Sequence, residues 1–189
     1  MKTVIYMVRH AESPYVHGEE RTRGLSEAGH REAKRAAEAL REMEIHYVAS
    51  SPYARAVQTV QDIASDRSLS VDEYEDLKER SIKGENETDS WEVLEEAIRR
   101  SFEDKDYALD GGESTLQVQR RSVPVIGKLL DEHQGENIVI GTHGNIMTII
   151  MNHYDERYGY EFWRQTSKPD IYKLVFDGQR LEAVERIWH

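Results

Sequence analysis

At 189 residues the chain has room for one sizeable core but not comfortably for two independent ones. Its 36 acidic against 25 basic side chains leave a net charge of −11, which argues against nucleic acid or an anionic membrane surface as partners held by the bulk field; any bound anion must sit in a local cluster. The lack of cysteine removes disulfides, thiolate catalysis and cysteine-ligated zinc, and an N-terminal apolar run of about six residues is too short for a signal-peptide core or a membrane span, so a soluble cytoplasmic protein is expected.

In chain order, Thr3 to Val8 is apolar almost throughout, the pattern of a strand covered on both faces. Ser26 is an N-cap candidate for an amphipathic helix that spaces Ala33, Ala36, Ala37, Leu40 and Met43 along one stripe. Ile45 to Ala49 reads as a second strand, and Ala56, Val57, Val60, Ile63 and Ala64 mark a second helix. Residues 66–112 are irregular and acidic, with a short strand near Ser70 to Tyr74 and a helix near Trp91 to Phe102; they read as a surface elaboration over the site. Ser114-Thr115-Leu116-Gln117 forms a capping box for a helix to about His133, in which Pro124 predicts a kink or break costing roughly 3 kcal/mol. Asn137 to Gly141 is a third strong strand, followed by the apolar helix Ile146 to Met151. Ile171 to Phe176 and Leu181 to Ile187, joined through Asp177-Gly178, predict a terminal hairpin.

This order predicts a single α/β domain over residues 1–189, in three α/β/α layers, with a mostly parallel central sheet and an antiparallel edge. Ligands in such sheets bind beyond the carboxyl ends of the strands. That rim collects Arg9-His10, then Ser50-Ser51-Pro52-Tyr53-Ala54-Arg55, then Thr142-His143-Gly144. Two arginines among two histidines repel a metal cation and suit a phosphate, whose oxygens match guanidinium forks. Backbone N–H groups of the helices after Ser51 and Thr142 are expected to add donors.

These residues carry a resemblance. Val8-Arg9-His10-Ala11-Glu12-Ser13 resembles the signature of the histidine phosphatase superfamily, the phosphoglycerate mutase-like fold. Leu25-Ser26-Glu27-Ala28-Gly29, Ser51-Pro52-Tyr53-Ala54-Arg55-Ala56-Val57-Gln58-Thr59, Gly111-Gly112-Glu113-Ser114 and Thr142-His143-Gly144-Asn145 resemble its later motifs in the same order.

The resemblance implies a His10 nucleophile that becomes phosphorylated, with Arg9, Arg55 and His143 holding the phosphoryl oxygens and Ser13 adding a hydroxyl contact. It implies a neutral His10 and a His143 that is cationic once phosphate is bound. Leu77-Lys78-Glu79 fits the position of the general acid, with Asp76, Glu85 and Glu87 as alternatives nearby. Gly144 after His143 departs from the acid-phosphatase and phytase branch, which keeps its acid there. Arg21 and Arg23, in the loop from Pro14 to Gly24, meet either a second anionic group of the substrate or only solvent. The remaining histidines, His17, His30, His46, His133, His153 and His189, read as surface or packing residues. The implied activity is metal-independent hydrolysis of a phosphorylated small molecule or phosphopeptide, with no cofactor. The alternatives are a phosphoglycerate mutase, disfavoured by a chain shorter than the cofactor-dependent mutases, and a noncatalytic phosphate-binding module, disfavoured by the intact nucleophile.

Overall fold

A computed structural model describes residues 1–84 and 89–189. Six strands, β1 (Lys2–Arg9), β2 (Tyr47–Ser50), β3 (Asp72–Glu73), β4 (Asn137–Thr142), β5 (Asp170–Asp177) and β6 (Arg180–Arg186), form one sheet in the order β3-β2-β4-β1-β5-β6. β3, β2, β4 and β1 run parallel, while β5 and β6 return antiparallel at the β1 edge. The helices are α1 (Glu27–Ala39), α2 (Ala54–Ser65), α3 (Trp91–Glu103), α4 (Thr115–Glu132), α5 (Gly144–Tyr154) and α6 (Tyr160–Gln165). This is the mostly parallel α/β sheet with an antiparallel edge that the order of elements predicts.

The alternation of side chains along each strand splits the core between the two faces. Ile5, Met7, Ile138 and Ile140 pack with Ile126, Leu129 and Ile149 of α4 and α5. Tyr6, Val8, Val48 and Val139 pack with Ala36, Val60 and Ile63 of α1 and α2. Helices thus cover both faces, and the central strands have no polar face.

Several expectations shift in detail. α1 stops at Ala39, so Met43 lies beyond the helix and is exposed rather than on its apolar stripe. α4 runs unbroken through Pro124. Both Pro124 and Arg120, whose carbonyl loses its helical donor to the proline, are exposed, so water can take the place of the missing N–H. The acidic segment is more than surface: it supplies β3, and Leu77, Ala97 and Ile98 are buried. α6 was not expected; at six residues it is too short to show a helical period.

Sheet order explains the site. In the parallel part of the sheet β4 lies between β2 and β1, and Arg9 is in register with Thr142. The chain therefore leaves β2, β4 and β1 side by side on one rim. His10 N donates to Thr142 O at 2.9 Å and Ser51 N to Gly141 O at 2.9 Å, extending the ladder into the site.

Candidate active site

His143 follows the central strand and is fully buried, with ring centroids 5.2 Å from His10 and 5.3 Å from Tyr53. His10 is 5% exposed, and its Nδ1 lies 2.7 Å from Ala11 O. A carbonyl can only accept, so Nδ1 carries the proton and Nε2 keeps its lone pair. Burial above all, then the positive charge of Arg55, Arg9 and Lys168, holds the His10 pKa well below the ordinary histidine value, against the Ala11 hydrogen bond that raises it. For His143 the same direction follows from burial first, then from His10, Arg55, Arg23 and Arg9.

Arg9 leaves β1 and lays its guanidinium on the start of α5. A Cβ at Gly144 would come within 2.7 Å of Arg9 Cζ, so glycine after His143 lets the guanidinium lie this close to α5. Arg9 Nη1 donates to Thr166 Oγ1 at 2.5 Å. Arg55, in the first turn of α2, is 1% exposed and donates through Nη1 to Glu20 O at 2.5 Å and through Nη2 to the Glu20 carboxylate. Its guanidinium also lies 5.0 Å from the Tyr53 ring centroid. The motif around Gly29 has a similar steric basis: a Cβ there would stand 2.2 Å from Glu12 O, so glycine lets α1 close on the loop that follows His10.

Buried polar atoms almost always find partners. Arg9 Nε, Arg55 Nε and His143 Nδ1 are buried and have none among the described residues. These atoms belong to the side chains that the sequence places around His10.

Glu79 reaches the same rim from the segment after β3. Its carboxylate accepts from Arg80 N at 2.8 Å, Ile146 N at 2.8 Å and Asn145 N at 3.1 Å, capping α5. Arg121 donates to the carbonyls of Asp76 at 2.7 Å and Lys78 at 3.0 Å and pairs with Glu113 at 2.8 Å, while Glu113 accepts from Ser81 N at 3.0 Å. The Gly-Gly-Glu-Ser motif thus pins the stretch that carries Glu79. Asp76 is exposed, and Glu85 and Glu87 lie outside the described residues.

Some expected contacts are otherwise engaged. Ser13 Oγ donates to Gly24 O at 2.7 Å and accepts from Arg23 Nη1 at 2.8 Å, so the hydroxyl ties its own loop and holds Arg23 instead of facing an anion. Arg23 stays near the cluster, whereas Arg21 is exposed and pairs with Glu75 at 2.5 Å. The helix N-termini offer fewer donors than expected, because Asn145 N and Ile146 N go to Glu79 and Ala54 N goes to Arg21 O at 3.0 Å. Sequence reasoning missed Glu20, Thr166 and Lys168, which stand outside every motif, and passed over Ser51 although it begins one. Among the described residues no group of three or more His, Asp or Glu side chains is arranged to hold a metal, and no helix is long and apolar enough to cross a membrane.

Comparison with known proteins adds to this geometry. Residues 5–188 match the family model described as histidine phosphatase superfamily (branch 1). Phosphoglycerate mutase-like protein 4 of Arabidopsis thaliana is 33% identical over 156 residues, which cover 76% of this chain and 67% of that protein. A mycobacterial glucosyl-3-phosphoglycerate phosphatase superposes with a TM-score of 0.76 at 21% identity, over 98% of this chain and 97% of that one. Phosphoglycerate mutase from Bacillus anthracis superposes with a TM-score of 0.74 at 15% identity, over 98% and 92%. At these identities the solved structures establish the fold alone.

Proposed function

The chain belongs to the histidine phosphatase superfamily, and on that premise we propose that it is a cytoplasmic, metal-independent phosphatase that hydrolyses phosphomonoesters through a phosphohistidine on His10. The observation that carries the reading is that three ring and guanidinium nitrogens, Arg9 Nε, Arg55 Nε and His143 Nδ1, are buried without partners among the described residues, beside a histidine whose Nδ1–H is committed to Ala11 O. Donors preorganised in a water-poor site stabilise the charge on a transferring phosphoryl group, and phosphoryl transfer asks little more of a protein than such positioning.

In the first step His10 Nε2 bonds to phosphorus while the ester P–O bond breaks, and Glu79, protonated, gives the leaving oxygen its proton. In the second, water attacks the phosphohistidine, Glu79 takes the water's proton, and the P–N bond breaks to return neutral His10 and phosphate. The acidic surface, −11 overall, concentrates affinity for anions in this cluster. The substrate class is a phosphorylated small molecule or phosphopeptide.

The test is release of phosphate from a nitrophenyl ester in excess chelator, with base-stable, acid-labile labelling of His10. Full activity in His10→Ala would overturn it. A second reading, phosphoglycerate mutase, draws on the resemblance to the Arabidopsis and Bacillus proteins. Conversion of 3-phosphoglycerate faster than its hydrolysis would favour that reading.

A further inference from the structure

Ser51 is fully buried at the end of β2, and its hydroxyl lies 2.7 Å from His143 Nε2. Tyr53 N donates into the same oxygen at 3.2 Å. The hydroxyl has a single proton to place. Among the described residues the one acceptor within its reach is His143 Nε2; were Nε2 itself protonated, both the Ser51 proton and the Nδ1 lone pair would be buried without partners, two faults where a proton on Nδ1 leaves only one.

We propose that Ser51 is a positioning residue that holds His143 as the neutral tautomer with its proton on Nδ1, the buried ring nitrogen that has no partner. Free histidine favours the other neutral tautomer, so the protein must enforce this one, and the hydrogen bond at one ring nitrogen is the usual means. The arrangement gives His143 a donor aimed away from Ser51 without adding a further cation beside His10. A cationic His143 would need the Ser51 hydroxyl to turn away and leave Nε2–H pointing at its oxygen. The same constraint distinguishes the rings: Ala11 O and the Ser51 hydroxyl both leave the proton on Nδ1, but in His10 this frees the Nε2 lone pair, whereas in His143 it frees the Nδ1 donor. That the donor meets a phosphoryl oxygen rests on the phosphatase reading; the tautomer does not.

The full chain labelled with nitrogen-15 in histidine, without ligand and at neutral pH, tests this by long-range proton–nitrogen correlation, with His143 assigned through His143→Gln. The expected spectrum shows a protonated Nδ1 and a bare Nε2 for His143, and Ser51→Ala moves the proton wholly or partly to Nε2. Ser51→Thr, which keeps the hydroxyl, should restore the wild-type pattern. kcat of Ser51→Ala should fall about tenfold to a hundredfold, as expected when only part of the population presents the donor, with KM moving less. A protonated Nε2 in the wild-type spectrum overturns the proposal, and that spectrum decides even if Ser51→Ala does not fold. The expected tautomer in a protein that hydrolyses no ester supports the proposal and removes the phosphatase reading; an active enzyme with Nε2–H does the reverse.

Discussion

Glu20 closes on Arg55: its carboxylate pairs with Nη2, its backbone carbonyl accepts from Nη1 at 2.5 Å, and the same carboxylate stands 3.4 Å from Arg23 Nε. A loop residue thus places a carboxylate on the guanidinium expected to receive phosphate, and the two anions compete. Glu20→Gln keeps the size and removes the charge. The expected result is a phosphate inhibition constant lowered about fivefold, the upper end of what a half-exposed partner contributes. Without its counter-charge, buried Arg55 also destabilises the ligand-free protein, so the rise in Tm on adding phosphate should exceed that of wild type. An unchanged inhibition constant would mean that phosphate reaches Arg55 through Nε while Glu20 stays in place.

Gly144 sets the position of Arg9. With a Cβ 2.7 Å from Cζ and a comparable approach to Nη2 at 2.8 Å, alanine is accommodated only if the guanidinium shifts away from the start of α5. Gly144→Ala should lower kcat/KM about a hundredfold, the scale of losing one aligned donor, with the circular dichroism of the fold retained. Activity within twofold of wild type would show that Arg9 works equally well from another place.

What the sequence disclosed follows from where each contact lies. β1 and β4 are apolar on both faces because helices cover both, so their ends, and with them Arg9, His10 and His143, were legible as a polar rim. Arg55 was legible through its motif at the start of α2. Glu20 on Arg55 and Thr166 on Arg9 were not, since those contacts span 35 and 157 residues and leave no local pattern. Ser13 was assigned to the anion because its motif suggests so, yet Gly24 and Arg23 take its hydroxyl. The sequence offers Glu79 as a proton donor, while its role as a cap was not legible, since two of its three backbone donors belong to α5, which is remote in sequence.

Stability should depend on pH through His10 and His143. Both are buried with pKa values pushed well down, whereas in the unfolded chain they titrate near about 6.5. Between the folded and unfolded values the unfolded state binds more protons, so stability rises with pH in that window and is lost as pH falls below about 6.5. Each histidine contributes a slope of at most about 1.4 kcal/mol per pH unit, and above about pH 7.5 neither contributes further. Urea unfolding from pH 5 to 8 should show this slope in wild type and lose most of it in the double variant His10→Asn, His143→Gln. A slope retained in full would assign the dependence to other groups.

The hardest role to separate is that of Glu79, because its carboxylate caps α5 and is also the proposed proton donor. Glu79→Gln removes the proton and replaces one acceptor oxygen with an amide NH2 that cannot accept from a backbone N–H, so some stability is lost, about 1 kcal/mol for a weakened cap. Capping and acid catalysis diverge in their dependence on the leaving group. An alkyl ester must be protonated as it departs, while a nitrophenyl ester leaves readily as the anion. The expected outcome is a kcat/KM loss at least tenfold greater on alkyl phosphates than on nitrophenyl phosphate, with the melting shift the same whichever substrate is assayed. Equal losses on both would leave Glu79 with the cap alone and send the search for the acid to other residues of the segment between β3 and α3.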